Sequence, residues 1–223
     1  MEKGIMDKIK EQRIREKIAE YIIEMTQKYE KLKRDDLAIN PFLAGALKLD
    51  SEEKIWKFFI TQRLQRGIVT SFGSLLQEIA KILDSEANIE DIDLVIKKDN
   101  KIHYVQLKSG PEGFTRPALR KTKSAFDKLK AKDPKCVSTV AFCYGIKSQI
   151  SKIWGKEVYE SADIVLVGKE FWDYFFGDGF YEKLINIFKT IEIDKEQPAI
   201  KRKSSDEILK TVCEKILSEK ATK

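Results

Sequence analysis

Residues 91–111 read Asp91-Ile-Asp-Leu-Val-Ile-Lys-Lys-Asp-Asn-Lys-Ile-His-Tyr-Val-Gln-Leu-Lys-Ser-Gly-Pro111. Two apolar, β-branched runs, 92–97 and 102–108, flank the polar tetrapeptide Lys98-Asp99-Asn100-Lys101. That is the pattern of two strands joined by a tight turn. Asp-Asn at its centre tolerates the positive φ that a two-residue hairpin loop requires. A hairpin turning on Asp99-Asn100 sets Asp93 opposite Gln106 and Asp91 opposite Lys108; a longer turn would shift this register. Side chains alternate along a strand, so Ile102, Tyr104, Gln106 and Lys108 share one face of the second strand. His103, Val105 and Leu107 share the other. Directly opposed Cβ atoms lie about 4.5–5.5 Å apart, so a carboxylate, an amide and an ammonium converge on one patch of sheet.

Around this hairpin the chain reads as helices and further strands. Apolar residues at helical spacing (Ile9, Ile14, Ile18, Ile22, Met25) predict an amphipathic helix within residues 5–33. Asn40-Pro41 breaks helical continuity and starts a second unit. Ser51 is the expected cap of a helix whose stripe is Ile55, Trp56, Phe59 and Ile60. Thr70-Ser-Phe-Gly-Ser74 reads as the start of another helix, with Leu75, Leu76, Ile79, Ile82 and Leu83 on its apolar face. Beyond the hairpin, 117–132 predicts a basic helix, and 136–144 and 163–167 predict strands closed by Gly145 and Gly168. A helix carrying Phe171, Trp172, Phe175 and Phe176 follows, this aromatic cluster being read as core, and then a helix over 179–190. The last helix runs from Ser205 to Glu219 with Ile208, Leu209, Val212, Ile216 and Leu217 on one face. The expected fold class is α/β, a mixed central β-sheet flanked by helices with a helical N-terminal region. The expected division is 1–69 (helical region), 70–196 (core) and 197–223 (linker near Gln197-Pro198, then helix).

Composition narrows the function. The 223 residues suffice for one sizeable α/β domain with helical additions or for two small domains. No stretch approaches the roughly 18 uncharged apolar residues of a membrane helix, and the N-terminus is charged from its second residue, so neither a membrane span nor a signal peptide is expected. Three cysteines (Cys136, Cys143, Cys213) without C-x-x-C spacing argue against a disulfide framework or a zinc site and fit reduced thiols in the cytoplasm. A single histidine, His103, excludes mechanisms that need two, and its face of the strand gives it a structural role. No Gly-x4-Gly-Lys-Ser/Thr loop is present, so ATP-driven chemistry is not indicated. Net charge is only +6, but between Lys97 and Lys135 twelve Lys and Arg stand against four Asp and Glu. Such a stretch suits phosphate binding, which counterion release drives.

A carboxylate and an amide oxygen are hard ligands of the kind Mg²⁺ takes alongside water and phosphate oxygens. A neighbouring lysine orients an attacking water and stabilises charge developing on phosphorus-bound oxygens. These parts suit hydrolysis of a phosphodiester. The order Asp, gap, (Asp/Glu/Gln)-x-Lys resembles the PD-(D/E)XK nucleases. More narrowly, Asn40-Pro-Phe-Leu43, Thr70-Ser-Phe-Gly73, Asp93, Gln106-Leu-Lys-Ser-Gly-Pro111, Cys143-Tyr-Gly145 and Val167-Gly-Lys-Glu-Phe-Trp172 resemble one group of type II restriction endonucleases, over residues 39–190. The resemblance implies a restriction-endonuclease-like core, with Asp93 as metal-binding carboxylate and Lys108 as catalytic lysine. Gln106 stands where the family pattern has Asp or Glu and weakens metal binding by one formal charge, which fits either a tuned site or an inactive one. A helix before the strands often supplies a further carboxylate in such enzymes. Glu78 is the candidate, with Gln77 on the adjacent flank.

The leading expectation is a homodimeric, Mg²⁺-dependent type II restriction endonuclease acting on double-stranded DNA at a short specific sequence. Arg116, Arg120, Lys121 and Lys123 are the expected DNA contacts, because phosphate contacts position a duplex and arginine reads guanine edges. Ser109 joins them at the end of the second strand, where Gly110 would let the backbone approach DNA closely. Two alternatives stand beside it: a structure-specific or repair nuclease, and a DNA-binding or assembly module that has lost catalysis at Gln106.

Overall fold

A computed structural model describes residues 8–83, 89, 91–150, 155–191 and 203–219. As far as Leu94 the hairpin forms with the register expected from its sequence; the expected pairs of Asp93 with Gln106 and of Asp91 with Lys108 are not part of the ladder. Strands β1 (Leu94–Lys98) and β2 (Lys101–Lys108) pair antiparallel, with Lys98 opposite Lys101 and Leu94 opposite Val105. Asp99 and Asn100 take φ of 49° and 61°, the positive values a two-residue turn needs to match the strands' twist. β2 then pairs in parallel with β3 (Val137–Phe142), and β3 in parallel with β4 (Ile164–Val167), giving a four-stranded mixed sheet in the order β1-β2-β3-β4.

Helices complete the chain: α1 (Lys8–Glu30), α2 (Pro41–Ala46), α3 (Glu52–Leu83), α4 (Arg116–Lys132), α5 (Gly155–Glu160), α6 (Lys169–Phe176), α7 (Phe180–Thr190) and α8 (Ser205–Ser218). Single 3-10 turns lie at Arg34–Asp36 and Lys147–Gln149. A parallel β2–β3 pair demands a crossover, and α4 supplies it. Thr115 caps α4 by accepting from Ala118 N. Thus the architecture is mixed α/β with a helical N-terminal region.

The chain divides into two compact units, Met1–Lys17 with Phe72–Ile191, and Ile18–Ser71 with Glu192–Lys223. The first contains the sheet. One sheet face buries Val95, Val140, Phe142, Val165 and Val167 with Leu119 and Phe126 of α4 and Val158 of α5. On the other face His103 is buried, its Nδ1 3.3 Å from Thr139 Oγ1 and its ring edge-on to Tyr174 and Phe175. Burial holds the His103 pKa below the ordinary imidazole value, in keeping with a structural histidine. In the second unit, Tyr29, Trp56, Ile60 and Leu64 pack with Ile208, Val212 and Ile216 of α8. Full burial of each such aliphatic side chain stabilises by about 1.5–3 kcal/mol. The proposed linker at Gln197-Pro198 lies outside the described residues.

Two expectations are corrected. Thr70–Ser74 does not start a helix; it lies inside the continuous α3. Thr70 and Ser71 turn their hydroxyls back onto the carbonyls of Arg66 and Gly67, both at 2.9 Å, so their polar groups are satisfied without a cap. Ile9, assigned to the buried stripe of α1, is 68% exposed, whereas Ile14 and Ile18 are fully buried.

Gly168 ends β4 at φ 56°, ψ −122°, a region open essentially to glycine alone. A Cβ there would lie 2.5 Å from the carbonyl oxygen of Gly145, which itself has φ 98°. Backbone meets backbone at the ends of β3 and β4, with no flexible group to yield. Gly168→Ala is therefore expected to destabilise the protein by about 2 kcal/mol or more, read as a lowered urea midpoint.

Candidate active site

The ladder between β1 and β2 stops at Leu94, two residues short of the start expected for the first strand. Asp93 N–H donates to Val105 O (3.0 Å) although Leu94 already faces Val105, so the register slips there as in a bulge. Asp91 just before it has φ 65°. With β1 ended, the backbone of Leu107 is served by side chains. Its N–H donates to Asp93 Oδ2 (2.7 Å), and its carbonyl accepts from Gln77 Nε2 (2.9 Å). Buried backbone groups must find partners, and this need fixes where the Asp93 carboxylate lies.

Gln106 Nε2 donates to the same Asp93 Oδ2. Asp93 Oδ1 and Gln106 Oε1 accept no hydrogen bond from the described residues. The Lys108 ammonium stands over the ring of Phe114, 5.2 Å from its centroid, a cation–π arrangement. Phe114 is itself buried edge-on to Phe142. Asp93, Gln106 and Lys108 line one cavity of about 280 Å³ with Asp91, Ile92, Ala118, Lys121 and Thr122. It opens at the carboxyl end of β2, the edge where open α/β sheets carry their ligands.

Burial pushes the Asp93 carboxyl above the ordinary carboxylate range; the Leu107 N–H and the charges of Lys108 and Lys81 pull the other way without prevailing. A carboxylate in this state gains from a cation. Among the described residues no three His, Cys, Asp or Glu side chains cluster as a metal cage. The cavity offers instead Asp93 Oδ1 and Gln106 Oε1, with the Asp91 carboxylate already paired to Lys121, a sparse hard-donor set. Mg²⁺ fits it, since that ion keeps several waters and takes substrate phosphate oxygens.

A family model, type II restriction endonuclease EcoO109I, matches residues 8–196. The chain belongs to this family of type II restriction endonucleases. The match runs from α1 through α7 and contains every residue that lines the cavity. Membership in the EcoO109I family assigns the chain to the site-specific deoxyribonucleases, with DNA as its partner. No curated protein matches the chain. No helix among the described residues is long and apolar enough to cross a membrane.

The other expected site residues separate. Glu78 is not at the cavity; it pairs with Lys17 at 3.0 Å on an exposed flank of α3, and its neighbour Gln77 is the one that reaches β2. Asp91 pairs with Lys121 (2.6 Å) rather than with Lys108. On α4, helical phase splits the basic residues: Lys121 joins the cavity, while Arg116, Arg120 and Lys123 line a second cleft with Glu157 and Glu160, Arg116 lying 3.8 Å from Glu157. Gly110 does not open the backbone to a ligand. A Cβ there would meet the Tyr144 ring at 2.6 Å, so the missing side chain makes room for a tyrosine. Ser109 sits at the same strand end, its carbonyl accepting from Tyr144 N (3.2 Å) and its side chain packed where a Gly73 Cβ would project. Sequence reasoning missed Ala118 and Thr122, although their i, i+4 spacing and their place beside Lys121 put all three on one helix face. It also missed Phe114, for which no sequence signal exists.

The raised Asp93 pKa has a signed consequence. In chelator-treated protein, the cost of burying the charge is present at neutral pH and is lifted as pH falls through the native pKa of Asp93. Below the ordinary carboxylate value both folded and unfolded states are protonated and the difference is gone. Asp93→Asn keeps an acceptor for Leu107 N–H without the charge. Its stability relative to the parent is thus expected to be greatest at neutral pH and to decline as pH falls. A gap that widened on acidification in parallel urea titrations would contradict the burial account.

Proposed function

We propose that this protein is a Mg²⁺-dependent type II restriction endonuclease that hydrolyses phosphodiester bonds of double-stranded DNA at a short specific sequence, with Asp93, Gln106 and Lys108 as its working residues. The reading is carried by one observation: these three side chains share a single cavity at the carboxyl edge of the sheet. Asp93 would hold the cation, its Oδ2 being anchored to Leu107 N–H. Gln106 secures Asp93 through its amide N–H and would offer its carbonyl oxygen to the same cation. Mg²⁺ held by these residues would supply a polarised water and offset charge on the scissile phosphate. Lys108, parked over Phe114, would orient the attacking water and stabilise the charge that grows on the phosphate oxygens. Lys121 at the cavity, Ser109 just past the end of β2, and Arg116, Arg120 and Lys123 on the adjacent flank of α4 contact DNA.

The same reading includes a homodimer acting on a two-fold symmetric site, since symmetric proteins match symmetric sequences. It also includes a cytoplasmic location, consistent with three free cysteines. Gln106 is the observation that favours a rival, a DNA-binding module without catalysis, because the amide lowers the charge available to a cation.

Incubation with plasmid DNA and Mg²⁺, followed by sequencing of fragment ends, distinguishes these readings. Discrete ends at one sequence are expected. Asp93→Ala and Lys108→Ala should each lower the cleavage rate by about 10²–10³-fold or more while leaving specific binding largely intact, and Gln106→Glu should keep or raise activity. Loss of DNA binding in both alanine variants would mean that these residues hold the fold instead. Absence of cleavage by the parent, with Lys108→Ala behaving identically, would favour the inactive module.

A further inference from the structure

The cavity holds a second carboxylate, and that carboxylate already has a cation on it. Asp91 lines the same wall as Asp93, Gln106 and Lys108, and its Oδ1 lies 2.6 Å from the ammonium of Lys121. The two partners differ in setting. The Asp91 side chain is 31% exposed, whereas Lys121 projects from α4 with 69% of its side chain exposed. Asp91 is also held at φ 65°, a conformation that Asp and Asn visit more readily than most residues, at some cost. Among the described residues, Asp91 and Asp93 are the only carboxylates on the cavity wall.

We propose that Asp91 is the second carboxylate of the metal site, standing in for the charge that Gln106 lacks, and that Lys121 occupies it as a resident counter-ion until DNA phosphate draws the lysine away. The inference rests on the nuclease reading above and adds to it an exchange of cations. With Lys121 on Asp91, the one wall carboxylate without a lysine salt bridge is Asp93, and the two lysines, Lys108 and Lys121, balance the two aspartates. A phosphate arriving at the cavity competes for the exposed lysine, because Lys is a point donor to phosphate as readily as to carboxylate. Asp91 is then bare, and the cation faces two carboxylates and an amide. The divalent ion therefore binds tightly only when a substrate backbone is present, which ties loading of the site to DNA.

Mn²⁺ titrated into the metal-free, full-length protein without DNA, with free Mn²⁺ followed by electron paramagnetic resonance, tests this directly. Asp91→Asn and Asp91→Gly both tolerate the positive φ, so loss of the carboxylate is separated from misfolding. Lys121→Met removes the competitor and is expected to tighten Mn²⁺ about three- to fivefold, the scale of a partly exposed ion pair. Asp91→Asn and Asp91→Gly, each combined with Lys121→Met, are expected to erase that gain. The exchange is overturned if Lys121→Met leaves affinity unchanged, or if it tightens Mn²⁺ equally in the Asp91→Asn background, since a general charge effect would do the latter. Asp93→Asn separates the two levels. If it weakens Mn²⁺ while Asp91 proves irrelevant, only the exchange fails. If neither aspartate matters, the metal assignment beneath it fails as well.

Discussion

Leu107 leaves the β1–β2 ladder with both backbone groups buried and no strand to receive them. Asp93 Oδ2 takes the N–H and Gln77 Nε2 gives to the carbonyl. An unpaired buried amide costs on the order of 1–3 kcal/mol, so this patch of side chains is required by the fold before any chemistry is considered. The carboxylate that serves Leu107 is also one that lines the cavity. Fold and site thus share an atom pair, and the bulge at Asp93 is what turns the chain so that both demands are met.

That sharing explains why the sheet edge rather than a loop carries the site. Gln106 and Lys108 alternate onto one face of β2, and the parallel pairing of β2 with β3 brings Cys143, Tyr144 and Gly145 to the same edge. Cys143 N and Tyr144 N continue the ladder onto the carbonyls of Lys108 and Ser109. Tyr144 packs on the bare Cα of Gly110, and the chain returns through Gly113, where a Cβ would lie 3.2 Å from that of Lys108. Lys108 is therefore enclosed by its own following loop, with Phe114 beneath its ammonium. Elements on rigid strands hold their geometry better than loops do, and here even the loop is packed back onto the strand.

How much of this was legible beforehand varied with the range of the interaction. The turn at Asp99-Asn100 is local, and its chemistry sets the register from Lys98–Lys101 to Leu94–Val105, beyond which a bulge and a side-chain bond bring Asp93 and Gln106 together. Period-two alternation placed His103 and Lys108 on opposite faces for the same reason. The continuous α3 was not legible: Thr70, Ser71 and Gly73 look like a boundary, yet the hydroxyls bond back within the helix and Gly73 makes room for Ser109, a contact across 36 positions that no local rule reports. Glu78 failed for a similar reason. Choosing between it and Gln77 requires the rotation of α3 against β2, and only the orphan carbonyl of Leu107 settles it. On α4 the basic residues were counted as one patch, whereas a 3.6-residue period distributes them over two flanks.

Gln106 can now be weighed as a physical choice rather than as a defect. A carboxylate at this position would face Asp93 Oδ2 at hydrogen-bond range, and two carboxylates sharing a site cannot both ionise without a cation between them. One would take up a proton, and the anchor to Leu107 N–H would compete with that repulsion. An amide donates instead, so Asp93 is held in place in metal-free protein and the cavity is formed before any ion arrives. The cost is one formal charge toward the ion. Asp91 lies on the same wall, its charge masked by Lys121. On the proposed metal-dependent reading, an amide donor beside a masked carboxylate would give a site that stays ordered without a cation, at the expense of holding that cation weakly until substrate is present.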